Sequence, residues 1–381
     1  MLRHLTYLLL TLLCLTGCTT FRAIKCGTPT TDTYTNFALD TISAADTIKK
    51  ILIESPNTYF KTTKFNGGQF HGETIGEYFA RVRGNGALLI VRNDSILLEE
   101  YFGNVQKYEP VNIFSISKAV TSLLCGIAID EGKIGSVSDT VTKYIPELSK
   151  ADPYFSQLTI EHLLDMRTGL DFKEGYGWNP FSKMAKLYYG NDVVDFISKS
   201  KFKDIPDSKY YYNSLATAIL GVVIERATNQ ALAEYLQEKV WKPLNMETDA
   251  YFALDSKKHH QAKAYGGIAT DVRNLALIGR LYLNGGVYDG KRIVSEDWIN
   301  RTTHASLDNE AYSYGWNNII SQKNGELYVT PRFFALGLFG QVLFCDPEQN
   351  LIFVTLGEKK GYEYHLLFDD FCNILKNDSI E

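Results

Sequence analysis

In Ile113-Phe114-Ser115-Ile116-Ser117-Lys118-Ala119-Val120-Thr121-Ser122-Leu123-Leu124, a serine stands three residues ahead of a lysine, where an apolar helical pattern begins. Residues three apart on a helix face the same side, so the Ser115 hydroxyl and the Lys118 amine are expected to lie together. A serine hydroxyl becomes a good nucleophile when a base takes its proton, and a partly desolvated lysine can be that base. The pair predicts covalent acyl transfer. The alternative is that Ser115 only caps the helix.

The same spacing recurs at Ser198/Lys201 and at Ser200/Lys203, within a polar stretch. Those two pairs are typical of a solvated surface segment. Ser115 differs because apolar residues lead into it and an apolar stripe with helical spacing follows it.

The N-terminal residues predict a lipoprotein signal. Arg3 and His4 precede a mainly apolar run over residues 5–15, which is too short to span a bilayer but suits a signal-peptide core. Leu15-Thr16-Gly17-Cys18 resembles a bacterial lipobox. We therefore expect a signal peptide over residues 1–17 and a lipid on Cys18 that anchors the chain to a membrane of the cell envelope. By resemblance to Gram-negative lipoproteins, Thr19 favours the outer membrane, with the protein facing the periplasm. The alternative for residues 5–15 is a short buried helix.

Composition limits the partners and the covalent framework. The 39 basic and 44 acidic residues give a net charge of −5 and are mixed along the chain, without a basic block. We therefore do not expect the protein to bind nucleic acid. Beyond residue 18, Cys26, Cys125, Cys345 and Cys372 are widely spaced and show no metal pattern, so we expect free thiols; the alternative is one disulfide whose partners the sequence does not identify.

Strand patterns near both ends of the chain surround a long helical middle. Apolar runs over residues 87–92 and 96–101, joined by Asn93-Asp94, predict a hairpin. Strand patterns return over 312–319, 333–345 and 351–356, before a closing helix at 364–375. We predict an α+β fold, in which about five antiparallel strands from the N- and C-terminal segments form one sheet flanked by helices. A large, mainly helical lobe, about residues 120–305, would be inserted beside it. Residues 18–38 are expected to be a tether, residues 39–381 one domain, and residues 40–53 a short helix.

Acyl transfer also needs a proton shuttle. The candidate is Tyr211 in Tyr210-Tyr211-Tyr212-Asn213-Ser214, because this segment leads into an apolar helix. A phenol beside a lysine cation would have a lowered pKa and could exchange protons with the serine. Asn213 could then orient Lys118 or a substrate carbonyl. The alternative is a tyrosine that only packs over a helix start.

The third element is an oxyanion hole, for which Ala335-Leu336-Gly337-Leu338-Phe339-Gly340-Gln341 is the candidate. Glycines within a strand often mark the close approach of another backbone or a ligand. The Leu338 N–H could then be the second oxyanion donor, beside the N–H of Ser115. The alternative is a glycine bulge near a sheet edge.

Together these motifs resemble the serine β-lactamase-related hydrolases, which include class C β-lactamases, D-alanyl-D-alanine carboxypeptidases, esterases and 6-aminohexanoate-dimer hydrolases. The resemblance covers most of residues 85–360. Ser115 to Lys118 looks like the family's Ser-x-x-Lys, and Tyr211 to Asn213 like its Tyr-x-Asn. The resemblance implies that Ser115 is acylated, that Lys118 accepts its proton and that Tyr211 later activates water.

One departure from the family pattern bears on the substrate. Penicillin-recognising members carry Lys or His, then Thr or Ser, then Gly in the third motif, and that cation helps to hold the substrate carboxylate. The matching residues here are Ala335-Leu336-Gly337, without a charge. Gly337 to Gln341 instead resembles esterase-like and aminohexanoate-hydrolase-like relatives, although Arg332 could supply charge from nearby. We expect an ester or amide lacking a critical carboxylate, with Tyr188, Tyr189 and Trp178 around its acyl group.

The leading hypothesis is thus a serine hydrolase that acts through an acyl-enzyme on a small ester, amide or peptide-like substrate in the bacterial envelope. Two alternatives stay open: a β-lactamase or D-alanyl-D-alanine carboxypeptidase, and a non-catalytic penicillin-binding-like fold used for binding. His259-His260 lies among lysines and is expected to be an exposed loop. The chain has no metal-ligand motif, phosphate loop or dinucleotide fingerprint, so neither a metal nor a cofactor is expected.

Overall fold

The computed structural model describes residues 19–55, 58–66, 68–175 and 179–377. The predicted signal peptide, Cys18 and Trp178 lie outside these residues, as does the side chain of Cys372. Within the described part of the chain, no helix combines the length and the apolar character that crossing a membrane requires. Cys26, Cys125 and Cys345 are free thiols, as expected.

The strands of the described residues form two sheets and one small hairpin. They are β1 (Ala38–Ile42), β2 (Ile53–Glu54), β3 (Gly86–Arg92), β4 (Ser95–Phe102), β5 (Val111–Asn112), β6 (Ala250–Leu254), β7 (Ile268–Thr270), β8 (Val287–Tyr288), β9 (Lys291–Arg292), β10 (Tyr312–Ser313), β11 (Trp316–Lys323), β12 (Glu326–Gly337), β13 (Gln341–Asp346) and β14 (Leu351–Gly357).

The α-helices of the same residues are mostly found between β5 and β10. They are α1 (Thr19–Cys26), α2 (Tyr59–Thr62), α3 (Ile75–Arg83), α4 (Ile116–Asp130), α5 (Val141–Tyr144), α6 (Ile160–Leu164), α7 (Lys183–Tyr189), α8 (Val193–Ser198), α9 (Ser214–Thr228), α10 (Leu232–Leu236), α11 (Val272–Leu283), α12 (Glu296–Thr303) and α13 (Tyr364–Asn377).

The main sheet combines strands from both ends of the chain, in the order β10-β11-β12-β13-β14-β3-β4-β2. Its neighbours are antiparallel, except that the short edge strand β2 runs parallel to β4. The predicted α+β architecture is confirmed, but the sheet has eight strands where about five were expected. Two-residue strands extend both of its edges. In addition, the predicted strand over 333–345 is the end of β12 and the whole of β13, because the chain reverses at Phe339 and Gly340, which both have positive φ.

Helices cover both faces of this sheet. Alternate residues of β3 belong to two different apolar clusters: Leu89 and Val91 belong to the cluster that includes α4, α9 and α11, whereas Leu88 and Ile90 belong to the cluster that includes α3 and α13. A strand buried on both faces has a continuous apolar sequence, which explains the unbroken run at residues 87–91. The predicted hairpin is also confirmed, since Asn93 and Asp94 adopt the left-handed conformation of a tight turn between β3 and β4.

The inserted lobe is mainly helical but contains a small sheet of its own. The strand order β1-β6-β7-β5 joins two strands of the lobe to two from the N-terminal part of the chain. The helix expected over residues 40–53 is therefore wrong, because β1 pairs with β6 through residue 42.

The segment predicted to be a tether is folded over its described part, residues 19–38. It forms α1, a 3-10 turn at Thr33–Asn36 and the start of β1. Ala23 is buried, and α1 packs against α7. The tether prediction is wrong for these residues, because Ala23, Tyr34 and Phe37 are buried in the apolar cluster of the lobe.

Candidate active site

Ser115 stands at the start of α4, directly after a strained residue. Phe114 has a φ of 46°, which costs about 1–3 kcal/mol in a residue other than glycine. Ser115 itself has φ −66° and ψ −10°, and its side chain makes no capping hydrogen bond. The alternative that Ser115 serves only as a helix cap is therefore wrong. Its Oγ instead accepts a hydrogen bond from Lys118 Nζ at 2.9 Å.

Lys118 is held by three oxygen atoms from separate segments. Besides Ser115 Oγ, its Nζ donates to Ser214 Oγ at 3.1 Å and to the carbonyl oxygen of Tyr265 at 3.0 Å. The side chain is buried, with 3% of the residue exposed. The lysines of the other two Ser-x-x-Lys pairs, Lys201 and Lys203, are exposed, as the polar stretch around them predicts.

Tyr212, and not Tyr211, is the phenol beside this pair. Lys118 Nζ lies 5.0 Å from the ring centroid of Tyr212, and the Ser115 side chain interacts with the Tyr212 phenol and partly offsets the rise in its pKa. Tyr211 is 45% exposed. The reason is the alternation of an extended segment: Tyr210 and Tyr212 both contact the ring of Tyr312, and the residue between them faces the other side. Alternation alone does not say which side faces the nucleophile, so the local sequence carries no signal that would have identified Tyr212 before the contacts with Tyr312 were known.

The role predicted for Asn213 is filled by Ser214. Asn213 caps α9, where its Oδ1 accepts from the N–H of Ala216 at 2.9 Å, and its Nδ2 donates to Thr168 Oγ1 and to the Tyr211 carbonyl. The assignment of Asn213 to substrate or to Lys118 is therefore corrected. Ser214 Oγ accepts from Lys118 and donates to Glu174 Oε1 at 2.7 Å.

Burial sets the protonation states of the site. It lowers the pKa of Lys118 to about 8, although the negative charge of Glu174 opposes the shift. Burial raises the pKa of the Tyr212 phenol, the charge of Glu174 adds to the rise, and the hydrogen bond with Ser115 opposes it. The expected lowering of the shuttle phenol's pKa is therefore wrong, because desolvation dominates. At neutral pH the phenol keeps its proton, while roughly a tenth of Lys118 is neutral amine.

The predicted oxyanion element lies against the nucleophile. Gly337 ends β12, and a Cβ atom there would come within 2.4 Å of the Ile113 carbonyl oxygen, so only glycine fits. Leu338 and Ser115 line the same two cavities. The structure thus brings Gly337 and Leu338 to the start of α4, as predicted. The ring of Phe339 packs edge-on against that of Phe114, at 5.6 Å between centroids.

A buried polar network supports the hairpin between β12 and β13, which carries Leu338. Gln341 Oε1 accepts from the N–H of Gly357 at 2.7 Å and from Arg83 Nη2 at 3.0 Å, and its Nε2 donates to the Gly357 carbonyl at 3.0 Å. Arg83 Nη1 donates to the Phe339 carbonyl at 2.6 Å. Both side chains are fully buried. Sequence reasoning missed Arg83, because nothing in its local sequence marks a buried arginine.

Two cavities meet at Ser115. The inner cavity lies between residues 23–29, α7 with the loop before it, and Tyr265-Gly266. The outer cavity is lined by Tyr212, Tyr312, residues 336–340 and Lys360. Ser115 and Leu338 line both.

The remaining predicted residues divide between the site and elsewhere. Tyr188 and Tyr189 line the inner cavity, as predicted. Arg332 does not line either cavity; its Nε is 3.0 Å from Asp346 Oδ2, so it is held in an ion pair on the sheet.

Asp192, Asp255 and His259 place three potential metal-ligand atoms within 4.8 Å of one another. Those atoms already serve the backbone or each other. Asp255 accepts from the N–H groups of Val193 and Gln261, and His259 Nδ1 is 3.2 Å from Asp192 Oδ2. The group acts as a structural clamp at the start of α8.

Comparison with known proteins agrees with this geometry. A family model described as beta-lactamase matches residues 73–366. A 6-aminohexanoate-dimer hydrolase from Paenarthrobacter ureafaciens is 26% identical over 290 residues, 71% of each chain. A Salmonella typhimurium protein provisionally named D-alanyl-D-alanine carboxypeptidase is 22% identical over 345 residues, covering 71% of this chain and 78% of that one.

The fold is shared with a solved structure from Bacillus anthracis, provisionally titled a 6-aminohexanoate-dimer hydrolase. It superposes with a TM-score of 0.76 at 20% identity and covers 91% of this chain and 92% of its own. The family match includes the segments that carry Ser115, Lys118 and Tyr212 and spans well over half of the sequence. This chain is a member of the beta-lactamase family of hydrolases.

Proposed function

We propose that the protein is a serine hydrolase that forms an acyl-enzyme at Ser115 with an ester or amide substrate. The observation that carries the proposal is the 2.9 Å hydrogen bond between Lys118 Nζ and Ser115 Oγ, with the Tyr212 ring 5.0 Å from the same Nζ. A nucleophile, a base of lowered pKa and a protonated phenol within one site are the groups that acyl transfer requires.

Acylation then proceeds with Lys118 as the base. Ser115 Oγ bonds to the substrate carbonyl carbon as its proton passes to the neutral amine of Lys118. The tetrahedral intermediate breaks its bond to the leaving oxygen or nitrogen, which takes the phenol proton of Tyr212. The phenolate that results takes the proton from Lys118. The N–H groups of Ser115 and Leu338 stabilise the oxyanion in both tetrahedral intermediates.

Deacylation uses the same groups in the reverse direction. Water attacks the acyl carbon and gives its proton to Lys118 through Tyr212, which cannot hold a negative charge for long because its pKa is raised. Ser115 Oγ leaves with a proton returned from Lys118. We assign to Tyr212 the water-activating role expected of Tyr211.

We place the protein on the cell envelope, held by a lipid on Cys18 and facing the periplasm. The support is the sequence Leu15-Thr16-Gly17-Cys18 after a short apolar run. Growth with a radiolabelled fatty acid tests this placement. Label on the wild-type chain that disappears in Cys18→Ala is the expected result, and equal labelling of both would overturn it.

A second candidate function is hydrolysis of an amide or lactam that carries a carboxylate. One observation favours it: Lys360 and Tyr212 both line the outer cavity. Its side chain is 54% exposed and 3.7 Å from Glu363, so its attraction for a carboxylate is screened. Nitrocefin turnover that falls in Lys360→Gln would favour this candidate over a neutral ester or amide.

Labelling with a fluorophosphonate probe tests the main proposal. We expect one equivalent on Ser115, located by mass spectrometry of the digested protein, and none in Ser115→Ala. A p-nitrophenyl acetate reaction that is quenched during turnover should add an acetyl group to the same residue. A folded protein that takes neither label at Ser115 would disprove the acyl-enzyme.

A further inference from the structure

We infer that residues 19–29, which lie ahead of the family-matched region, form one wall of the acyl-binding site and restrict it to uncharged, apolar acyl groups. The inference rests on the proposed acyl-enzyme at Ser115. It assigns the inner cavity to the acyl part of the substrate and the outer cavity to the leaving group.

The position of Tyr212 decides which cavity takes which part of the substrate. A general acid must reach the leaving atom when the tetrahedral intermediate breaks down. Tyr212 lines the outer cavity and does not line the inner one. Because Ser115 and Leu338 line both, the carbonyl group lies where the two cavities meet. The acyl substituent must then enter the inner cavity.

Residues of the N-terminal segment are built into the inner cavity. Ala23, Gly27, Thr28 and Pro29 line it opposite α7. The segment is fixed there by a hydrogen bond of 2.7 Å from the Tyr189 hydroxyl to the Gly27 carbonyl. The family model begins at residue 73, so this wall is an addition to the part of the chain that the family model describes.

Two further contacts fix the residues that directly follow the wall, next to the segment that leads into Ser115. The N–H of Asn112, three residues ahead of Ser115, donates to the Thr31 carbonyl at 2.8 Å. Phe37 packs edge-on against Tyr188, at 5.3 Å between ring centroids. The N-terminal segment therefore contacts both the inner cavity and the residues that lead into Ser115.

The chemistry of the lining predicts which acyl groups fit. Among its described residues, the inner cavity has no Asp, Glu, Lys, Arg or His. The nearby carboxylate of Glu174 is engaged by the hydroxyl and the N–H of Ser214. A charged acyl terminus would lose its hydration without gaining a partner, whereas each buried methylene gains roughly fourfold in binding.

The experiment compares p-nitrophenyl acetate, butanoate and hexanoate with the hexanoate analogue that ends in a carboxylate. In the wild type we expect kcat/KM to rise roughly fifteenfold from acetate to butanoate, for two added methylenes. We expect the carboxylate ester to react at least about a hundredfold more slowly than hexanoate. Equal rates for the charged and neutral esters would overturn the inference.

Two variants test the wall itself. Ala23→Phe fills the cavity from a buried position, and Thr28→Phe does so from its exposed rim, where folding tolerates a larger side chain. Each should abolish the preference for butanoate over acetate. Ile24→Phe is the matched control: Ile24 is the next residue of α1, is 50% exposed and is absent from the cavity lining.

Fluorophosphonate labelling distinguishes a failure of this inference from a failure of the proposed acyl-enzyme on which it rests. Variants that still label at Ser115 but keep the wild-type chain-length preference would overturn the role of residues 19–29 alone. Failure of the wild type to label would overturn the acyl-enzyme, and with it the assignment of both cavities.

Discussion

Lys118 Nζ donates to Ser214 Oγ across 3.1 Å, and this contact joins the first turns of two buried helices, α4 and α9. Ser214 passes the contact on, since its Oγ donates to Glu174 Oε1 at 2.7 Å. The lysine that activates the nucleophile is thus oriented by a serine, which is itself fixed by a carboxylate.

Ser214→Ala should reduce catalysis more than stability. Its removal leaves a hydrogen bond of the buried Lys118 unmade, at a cost of about 1–3 kcal/mol, so we expect kcat/KM to fall by about ten- to a hundredfold. Asn213→Ala, one residue away, removes the helix cap. It should lower the free energy of unfolding by about 1 kcal/mol and leave kcat nearly unchanged. Ester kinetics and urea unfolding of both variants check the pair, and the reverse pattern would show that Asn213 orients the lysine.

Substitution of Tyr211 and of Tyr212 should show which of the two phenols transfers the proton. Tyr212→Phe removes the phenol beside Lys118 and Ser115, and we expect kcat to fall by about 10²- to 10⁴-fold. Tyr211→Phe changes an exposed ring and should keep kcat within about twofold. Both variants retain the aromatic packing, so stopped-flow ester kinetics report on the hydroxyl alone. Equal losses in the two would contradict the assignment of Tyr212.

Activity should rise with pH through the titration of Lys118. The base is effective only as a neutral amine, and its pKa of about 8 means that it is mostly protonated at pH 6 and mostly neutral at pH 9. We expect kcat/KM for a neutral ester to increase over this range, with a midpoint near pH 8. A profile that is flat or falls between pH 6 and 9 would show that Lys118 is not the base.

Two variants identify the group behind the midpoint. The charge of Glu174 raises the pKa of Lys118, so Glu174→Gln removes a stabilising influence on the ammonium and should move the midpoint below 8. Lys263 is a second buried lysine, whose pKa burial lowers to about 7, and it lies over the ring of Phe37. Lys263→Met should leave the midpoint in place. If the midpoint disappears in Lys263→Met, the group that titrates is Lys263 and not Lys118.

Local sequence patterns predicted the parts of the site that depend on one helix. Ser115 and Lys118 are three residues apart on α4, so their contact follows from helix geometry alone. The tyrosine was misplaced by one position, because three consecutive tyrosines leave the side facing the nucleophile undecided. Only the packing of Tyr210 and Tyr212 on Tyr312, about 100 residues away, decides it.

The fold could be predicted from the sequence where both faces of a strand are apolar. The prediction failed where tertiary contacts override the local composition. The hairpin β3–β4 has its turn residues and apolar runs in sequence. Residues 19–38 have no such pattern, and their order comes from docking on α7, for example through Tyr189 and Gly27. Arg83 was missed for the same reason: its partners lie more than 250 residues further along the chain.

Gln341 should support catalysis through the position of the hairpin that carries Leu338. Gln341→Ala leaves the Gly357 N–H and the Nη2 group of Arg83 without their buried acceptor, so we expect the free energy of unfolding to fall by about 3 kcal/mol. We also expect kcat for the ester to fall at least tenfold, because the Leu338 N–H loses its fixed direction. Phe353→Ala, in the apolar cluster on the far face of the sheet, should cost a similar 3–5 kcal/mol and leave kcat unchanged. The comparison of ester kinetics below the unfolding transition is decisive, since a merely structural Gln341 would give two variants of equal kcat.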